Sequence, residues 1–232
     1  YYESRDREDG WGHLRDPQLY YYDGDAPYDN PANYKPAGGS SDKERIDAIV
    51  AYIGAETVTG KDGKWELGAA IVRPEDGVFA GEANIKSLTM SENIRGISDY
   101  AFYDCTNLES VSLSENVVAL GDNVFTNCSS LTNLILPESL TSMGGRVIEG
   151  TSIENITIPK NVKNGYGISY GDYFGALANC KTLNEVVFEE GMAEIPSYIL
   201  ASGSYTSYVK KVIIPDTVVS IGKYAFYKNK NL

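Results

Sequence analysis

The chain has 232 residues, 42% of them hydrophobic, and a formal net charge of −12. That balance opposes binding to a phosphate backbone, which needs clustered Lys and Arg, and it opposes a polybasic hold on anionic lipid. No apolar run approaches the roughly 18 residues needed to cross a membrane, so neither nucleic acid nor membrane insertion is expected.

The chain begins at Tyr1 rather than Met, which reads as a processed or excised piece from which any signal peptide has gone. Residues 1–40 stand apart as a Tyr/Asp-rich extension. They hold seven of the eighteen tyrosines, many Asp and Pro, and few aliphatic residues. Composition alone gives a disordered linker. Tyr rings such as Tyr20, Tyr21 and Tyr22 carry large apolar area with a polar tip, so the extension is expected to lie on something, either the rest of this chain or a neighbouring molecule. "DGDAPYDN" (23–30) offers Asp23, Asp25 and Asp29 to calcium. An EF-hand loop needs Gly at its sixth position and a carboxylate at its twelfth; Tyr28 and Tyr34 stand there, so a solvated acidic turn is the better reading.

Residues 41–77 read as a helix followed by a hairpin. In "SDKERIDAIVAYIGA" (41–55), Ser41 and Glu44 match a capping box, and Ile46, Ile49, Val50 and Ile53 make one apolar stripe, with Gly54 as the stop. "ETVTGKDGKWELGAAIV" then reads as two strands joined by a turn at Lys61–Lys64, with Trp65 packed inward.

From residue 78 to 232 the chain repeats. Phe79, Phe102, Phe125 and Ile148 follow at intervals of 23; Leu177 and Leu200 are again 23 apart, and Phe226 follows after 26. After the anchors come the strand-like cores "IKSLTM" (85–90), "LESVSL" (108–113), "LTNLIL" (131–136), "IENITI" (153–158), "LNEVVF" (183–188) and "VKKVII" (209–214). L-x-x-L-x-L at a period in the twenties marks a leucine-rich repeat solenoid, in which each coil buries its apolar face only against its neighbours. Asn93, Asn116, Ser139, Asn161, Gly191 and Thr217 occupy the position whose side chain can bond the turning backbone between coils. The fourth coil departs from the pattern. One residue is missing around "IEGTSI", and "KNGYGISYGDYFGA" (163–176) carries an insertion.

"DYAFYDCTNLESVSL", "NVFTNCSSLTNLILP" and "SIGKYAFYKNKNL" share a form close to I-x-x-x-A-F-x-x-C-x-x-L-x-x-V-x-L-P. This resembles the BspA-like leucine-rich repeats of bacterial and protozoan surface proteins, over roughly residues 78–232. The expected fold is a right-handed superhelix rich in β-structure, with short helical or turn segments, and residues 41–77 are expected to cap its first coil against exposed strand edge. No matching cap follows the last coil, so the open end is expected to be met by further chain or by another molecule. The resemblance implies an extracellular or cell-surface adhesion module that binds host or matrix proteins.

Cys105, Cys128 and Cys180 each fall three residues after an anchor. Disulfide, metal site and nucleophile are the functional readings. Coils stack about 4.7–4.9 Å apart, which leaves Cys180 about 10 Å from Cys128, with Thr151 between, and outside disulfide reach. Small buried thiols are the expectation, and they do not report a redox compartment.

The residues offer little catalytic chemistry. The one histidine, His13, lies far in sequence from the repeat cysteines. No C-x-x-C or H-x-x-x-H pairing suggests zinc, and "GISYGDYFG" lacks the setting of a phosphate loop. Glu189 and Glu190 are adjacent, so on a strand they point to opposite faces. No catalytic residue, metal or cofactor is expected. In each core the middle residue points out, giving an exposed column of Thr89, Ser112, Ile135, Thr157, Val187 and Ile213, flanked by Asn133 and Asn155. This neutral, partly apolar ladder is the candidate protein-binding face; plain β-propensity is the alternative. Tyr166, Tyr170 and Tyr173 of the insertion, with Tyr198, Tyr205 and Tyr208, could form an aromatic patch for a glycan, or could pack on their own scaffold. Three functions remain open: an adhesion-type interaction module, an assembly protein joined through its extension and open end, and a carbohydrate-binding part of a larger secreted protein.

Overall fold

The spacing of 23 residues is the offset at which strands pair. A computed structural model describes residues 20–22, 34–36, 58–68, 77, 79–169, 172–202 and 208–232. In the extension, β1 (Tyr20–Tyr22) pairs antiparallel with β2 (Tyr34–Pro36). β3 (Val58–Lys61) and β4 (Lys64–Leu67) form the hairpin read from the sequence. Its loop residues, Asp62 and Gly63, have φ of 55° and 79°. Two positive values are what the twist of a two-residue hairpin demands, and Asp-Gly meets that demand cheaply. Trp65 faces inward and is 1% exposed. The helix expected over 41–55 lies outside the described residues, so the helix–hairpin cap is not seen as a unit.

The coils supply β5 (Ser87–Met90), β6 (Gly96–Ile97), β7 (Ser110–Ser112), β8 (Ala119–Leu120), β9 (Ser142–Met143), β10 (Asn155–Ile158), β11 (Asn164–Ser169), β12 (Asp172–Gly175), β13 (Glu185–Phe188), β14 (Glu194–Ile195), β15 (Lys211–Ile213) and β16 (Ser220–Ile221). Strands between neighbouring coils pair in parallel. Trp65 sits opposite Leu88, and Leu88 opposite Val111, each a step of 23. The L-x-x-L-x-L cores build two sheets, β3-β4-β5-β7 and β10-β13-β15. The short strands that follow build a second set, β6-β8-β9-β11-β12 and β14-β16. Among the described residues the remaining segments are turns, and none is a helix.

The turns of the first four anchors use left-handed backbone in two places. Gly77, Tyr100, Asn123 and Arg146 form one such series, and Gly81, Asp104, Asn127 and Gly150 the other. Gly, Asn and Asp accept this conformation most easily. Between the turns and the sheets lies the core. The rings of Phe79, Phe102 and Phe125 stack at 4.9 and 5.6 Å with interplanar angles of 3° and 12°. Ile148, Leu177 and Leu200 continue the column, all buried. The polar ladder between coils is present as expected. Asn116 Nδ2 donates to the Glu92 carbonyl at 2.8 Å, Ser139 Oγ to Val117 at 2.7 Å, Asn161 Nδ2 to Glu138 at 2.8 Å and Thr217 Oγ1 to Met192 at 2.9 Å.

The insertion is a hairpin that divides the short-strand set, β11 pairing with β9 and β12 while β14 pairs with β16. Asn164 and Gly165 pair with Ser142 and Met143; the chain then folds back on itself, with Tyr166 opposite Gly175. It re-enters at Gly175, where a Cβ would stand 2.2 Å from the Tyr198 carbonyl oxygen, so only glycine fits.

One irregularity interrupts the long-strand face. In four coils two successive amides donate to one carbonyl of the coil before: Lys86 and Ser87 to Gly63, Glu109 and Ser110 to Lys86, Asn184 and Glu185 to Glu154, Lys210 and Lys211 to Asn184. The third and fourth coils lack this pair. Between the second and third coils the contact at this point is a single 3.3 Å bond from Ser130 to Thr106, and between the third and fourth a single 2.9 Å bond from Ser152 to Leu131. Residues 131–137 carry no strand pairing, although Ser142 and Met143 of the same coil pair on both sides. The fourth coil starts one residue early: Leu131 to Ile153 spans 22 residues where the two steps before it span 23. That loss bears on the junction of the third and fourth coils; the alternation survives it, with Ile156 and Ile158 buried and Thr157 exposed, and the second and third coils keep the offset of 23. The second set of short strands, entered after the turn Pro137–Leu140, stays paired at this level.

Native-state hydrogen exchange reads this break directly. The amides of Asn133, Leu134 and Ile135 are expected to exchange about 100-fold faster than those of Leu88 and Val186, because unpaired ladder amides open without subglobal unfolding. Equal protection would mean that the ladder is continuous in solution.

Candidate functional site

The outward column is formed, in two runs. Thr89 lies opposite Ser112, and Thr157, Val187 and Ile213 lie side by side on successive coils. Ile135 stands between the runs, in the interruption, and is 73% exposed. Asn133 and Asn155 beside it are exposed too. The inward partners are buried as the alternation requires, with Leu88, Leu134, Ile156 and Val186 each at 3% or less. Val111 and Leu113, which face the break, are only partly buried. The break opens a cavity of about 380 Å³ lined by Asn133, Ile135, Asn155, Thr157 and Val187, with Leu134, Leu136 and Ile156 at its floor. Glu138 and Glu189 also line it. Lys160 lies by both, its Nζ 3.5 Å from Glu138 and its amide donating to Glu189 Oε2 at 2.9 Å. At the far end of the column Lys211 and Glu185 pair at 2.6 Å.

The sequence missed this cavity. The residue missing around "IEGTSI" marks the junction of the third and fourth coils, whereas the loss of pairing toward the second coil, at an unchanged spacing of 23, left no signal in the sequence.

The aromatic patch is partly assembled and differently composed. Tyr166 meets Tyr198 at 5.3 Å, Tyr198 meets Tyr224 at 5.4 Å and Tyr224 meets Tyr227 at 5.3 Å between ring centroids. Lys223 and Lys228 lie 5.1 and 5.3 Å from the Tyr224 and Tyr227 rings. Tyr170 and Tyr205 fall outside the described residues, and of Tyr173 the backbone alone is described. Tyr208 is 41% exposed. Tyr224 and Tyr227 escaped the sequence reading because it searched the insertion. The usable signal was register: Tyr100, Tyr198 and Tyr224 each precede an anchor by two residues. All three hold left-handed backbone, with φ of 57°, 60° and 55°, a conformation that costs a bulky residue more than it costs Asn or Gly. The ring-to-ring angles of 51°, 43° and 67° mean that neighbouring rings of this row do not share a plane.

The cysteines are free and buried. Each thiol donates to the anchor carbonyl of the preceding coil: Cys105 to Phe79 at 3.1 Å, Cys128 to Phe102 at 3.2 Å and Cys180 to Ile148 at 3.5 Å. Asn229 takes the same position in the last coil and donates to Leu200 at 2.8 Å. The position therefore calls for a small buried donor, which is a structural task. Burial pushes the Cys105 thiol well up, helped by its Cys128 neighbour. Burial, and then the Glu149 charge, push the Cys180 thiol up. Glu149 is itself raised by burial, against the pull of Arg146 beside it. Among the described residues no group of three or more His, Cys, Asp or Glu could hold a metal.

A family model described as "BspA type Leucine rich repeat region" matches in six copies, over residues 66–170 and 173–232. No curated protein matches the chain. Among solved structures, the leucine-rich repeat protein of T. pallidum is 24% identical with a TM-score of 0.58, covering 75% of this chain and 79% of that one. A leucine-rich repeat protein from Bacteroides ovatus is 25% identical with a TM-score of 0.55, covering 72% of this chain; the match spans only 40% of that protein's length.

The thiols give a test of this packing. Native protein at pH 8 is expected to leave Cys105 and Cys180 unlabelled by a soluble disulfide reagent, and guanidinium to make them reactive, since the thiolate is the reacting form. Both are raised in the fold, so above about pH 9 the unfolded chain releases protons that the native chain keeps, and stability falls as pH rises. Rapid labelling of the native protein would show that the core ladder is open.

Proposed function

The chain belongs to the BspA-type leucine-rich repeat family, and from that premise we propose that it is a non-catalytic, adhesion-type module that works outside the cell or at its surface by binding proteins. The single observation that carries this reading is the exposed column on the long-strand face, above all Ile135 at 73% exposure with Ile213 at 40%. Exposed aliphatic side chains on a rigid ladder are what a protein partner can desolvate, and a few such anchors supply most of the affinity of an interface. The rest of the column, Thr89, Ser112, Thr157 and Val187 with Asn133 and Asn155, supplies a neutral surround that can hydrogen-bond without imposing charge. Host or matrix proteins are the proposed partners.

The test is binding to immobilised purified matrix proteins. Replacing Ile135 and Ile213 together with Glu is expected to weaken binding at least about 100-fold, as loss of two anchors does, while the circular dichroism spectrum stays unchanged. Unaltered binding would remove this face from consideration.

A second reading, assembly, is favoured by the last coil. Ile214 and Ile221 occupy core register, yet they are 40% and 56% exposed. Among the described residues β15 has a neighbour on one side only. Further chain of the same protein, another molecule stacked on this face, or the extension 1–40 of another molecule lying there would cover it, and intermolecular contacts of that heterologous kind build open chains. Light scattering over a concentration series separates the two: mass that grows with concentration and stops growing on deletion of 1–40 or on Ile221→Lys supports assembly, and a constant monomer mass rejects it. The exposed Tyr208 and the rings of Tyr166, Tyr170 and Tyr173 remain the proposed contacts if the partner is a glycan.

A further inference from the structure

We propose that the break in the long-strand face at the third coil is the docking point, and that it takes one apolar side chain, flanked by Lys or Arg, from an extended segment of a partner protein. This rests on the reading of that face as a binding face and says where on it the partner sits and what it presents.

Three observations on the same few residues converge. The first is backbone chemistry. Among the described residues, no amide from Thr132 to Leu136 donates to another backbone carbonyl, while the equivalent amides of the first, second, fifth and sixth coils do. Backbone donors and acceptors are strong groups that find partners when they are covered, so an occupant of this place must itself bring hydrogen bonds. An extended polypeptide carries them along its whole length, which is how strand-like peptides are held elsewhere. A sugar or an aromatic small molecule does not match a row of amides in this way.

The second is shape. The cavity of about 380 Å³ lies at the break, with Leu134, Leu136 and Ile156 at its floor and Pro159 on its wall. That volume falls within the range of roughly 300–1,000 Å³ typical of pockets that bury a ligand. The neighbouring coils close the same place with paired strands, so the face offers this depth at the break. Ile135, 73% exposed, stands at the mouth, where an apolar side chain entering the cavity would cover it.

The third is charge. The charged residues that line the cavity are Glu138 and Glu189, both acidic, in a chain of net charge −12. Lys160 Nζ lies 3.5 Å from Glu138, while Glu189 accepts from the uncharged Lys160 backbone amide, so this one cation answers one of the two carboxylates. A partner with Lys or Arg on either side of its apolar residue completes that balance and is drawn in by the overall field.

The experiment uses the pentapeptide KVLVK, blocked at both ends, as probe, with EVLVE and KSSSK as controls, and reads amide chemical shifts of the full chain during titration. The expected result is a saturable shift confined to the third, fourth and fifth coils, at Asn133, Ile135, Asn155, Thr157 and Val187, from KVLVK and not from either control. Thr157→Trp and Val187→Trp, which fill the cavity from two different coils, are each expected to weaken the probe more than about tenfold. Thr89→Trp, on the same column outside the break, is expected to leave it within about twofold. A spectrum dispersed like that of the parent chain certifies the fold of each variant. If all three tryptophans weaken KVLVK alike, or the shifts spread along the whole column, the docking point is wrong while the face reading stands. If KVLVK gives no saturable shift, or EVLVE binds as well, the proposal is overturned; the face reading is then judged separately by the Ile135 and Ile213 pair.

Discussion

Everything in this molecule depends on identical positions of successive coils lying against each other. A parallel ladder fixes the spacing, so a residue type that works at one level is offered the same surroundings at the next. The stacked rings of Phe79, Phe102 and Phe125 follow from that rule. So do the thiols that cap the carbonyl of the anchor below. Small domains usually gain stability from contacts between distant segments; here each coil rests on its two neighbours, and the free energy accumulates along one axis.

That dependence explains which parts of the fold were legible in the sequence. The anchors, the L-x-x-L-x-L cores and the Asn position are set by burial, and burial writes itself as periodic apolar letters. The role of Cys105, Cys128 and Cys180 was readable only in part. Their spacing said that they are stacked and buried, and geometry excluded a Cys128–Cys180 bridge. That each donates to the anchor carbonyl of the coil before it needed coordinates, and Asn229 shows why: an amide fills the same task with no resemblance to a thiol.

The candidate site was legible in outline and missed in its most informative detail. Outward residues follow from alternation, so Thr89, Ser112, Ile135, Thr157, Val187 and Ile213 could be named from the sequence. Their continuity could not. Residues 131–136 keep the L-x-x-L-x-L letters and yet lack strand pairing, so the lost backbone hydrogen bonds leave no mark in the apolar pattern. Conversely the longer insertion divides the short-strand set into two sheets, yet the long strands stay paired across it, β10 with β13. It leaves as β11, returns as β12 and restores the register on re-entry at Gly175. Length change matters less than whether the chain comes back in step.

The break has a mechanical consequence. Under tension along its axis, a solenoid shares load across the hydrogen bonds of every level. At the third coil the long-strand side contributes almost none, and the pull passes to two other seams: the short strands Ala119–Leu120, Ser142–Met143 and Asn164–Ser169, and the turn amides of Phe102, Asp104, Phe125 and Asn127, which donate to Val124, Thr126, Val147 and Glu149. Load carried on two of three sides falls unevenly on the coil, and the face without strand pairing is the one that carries least of it.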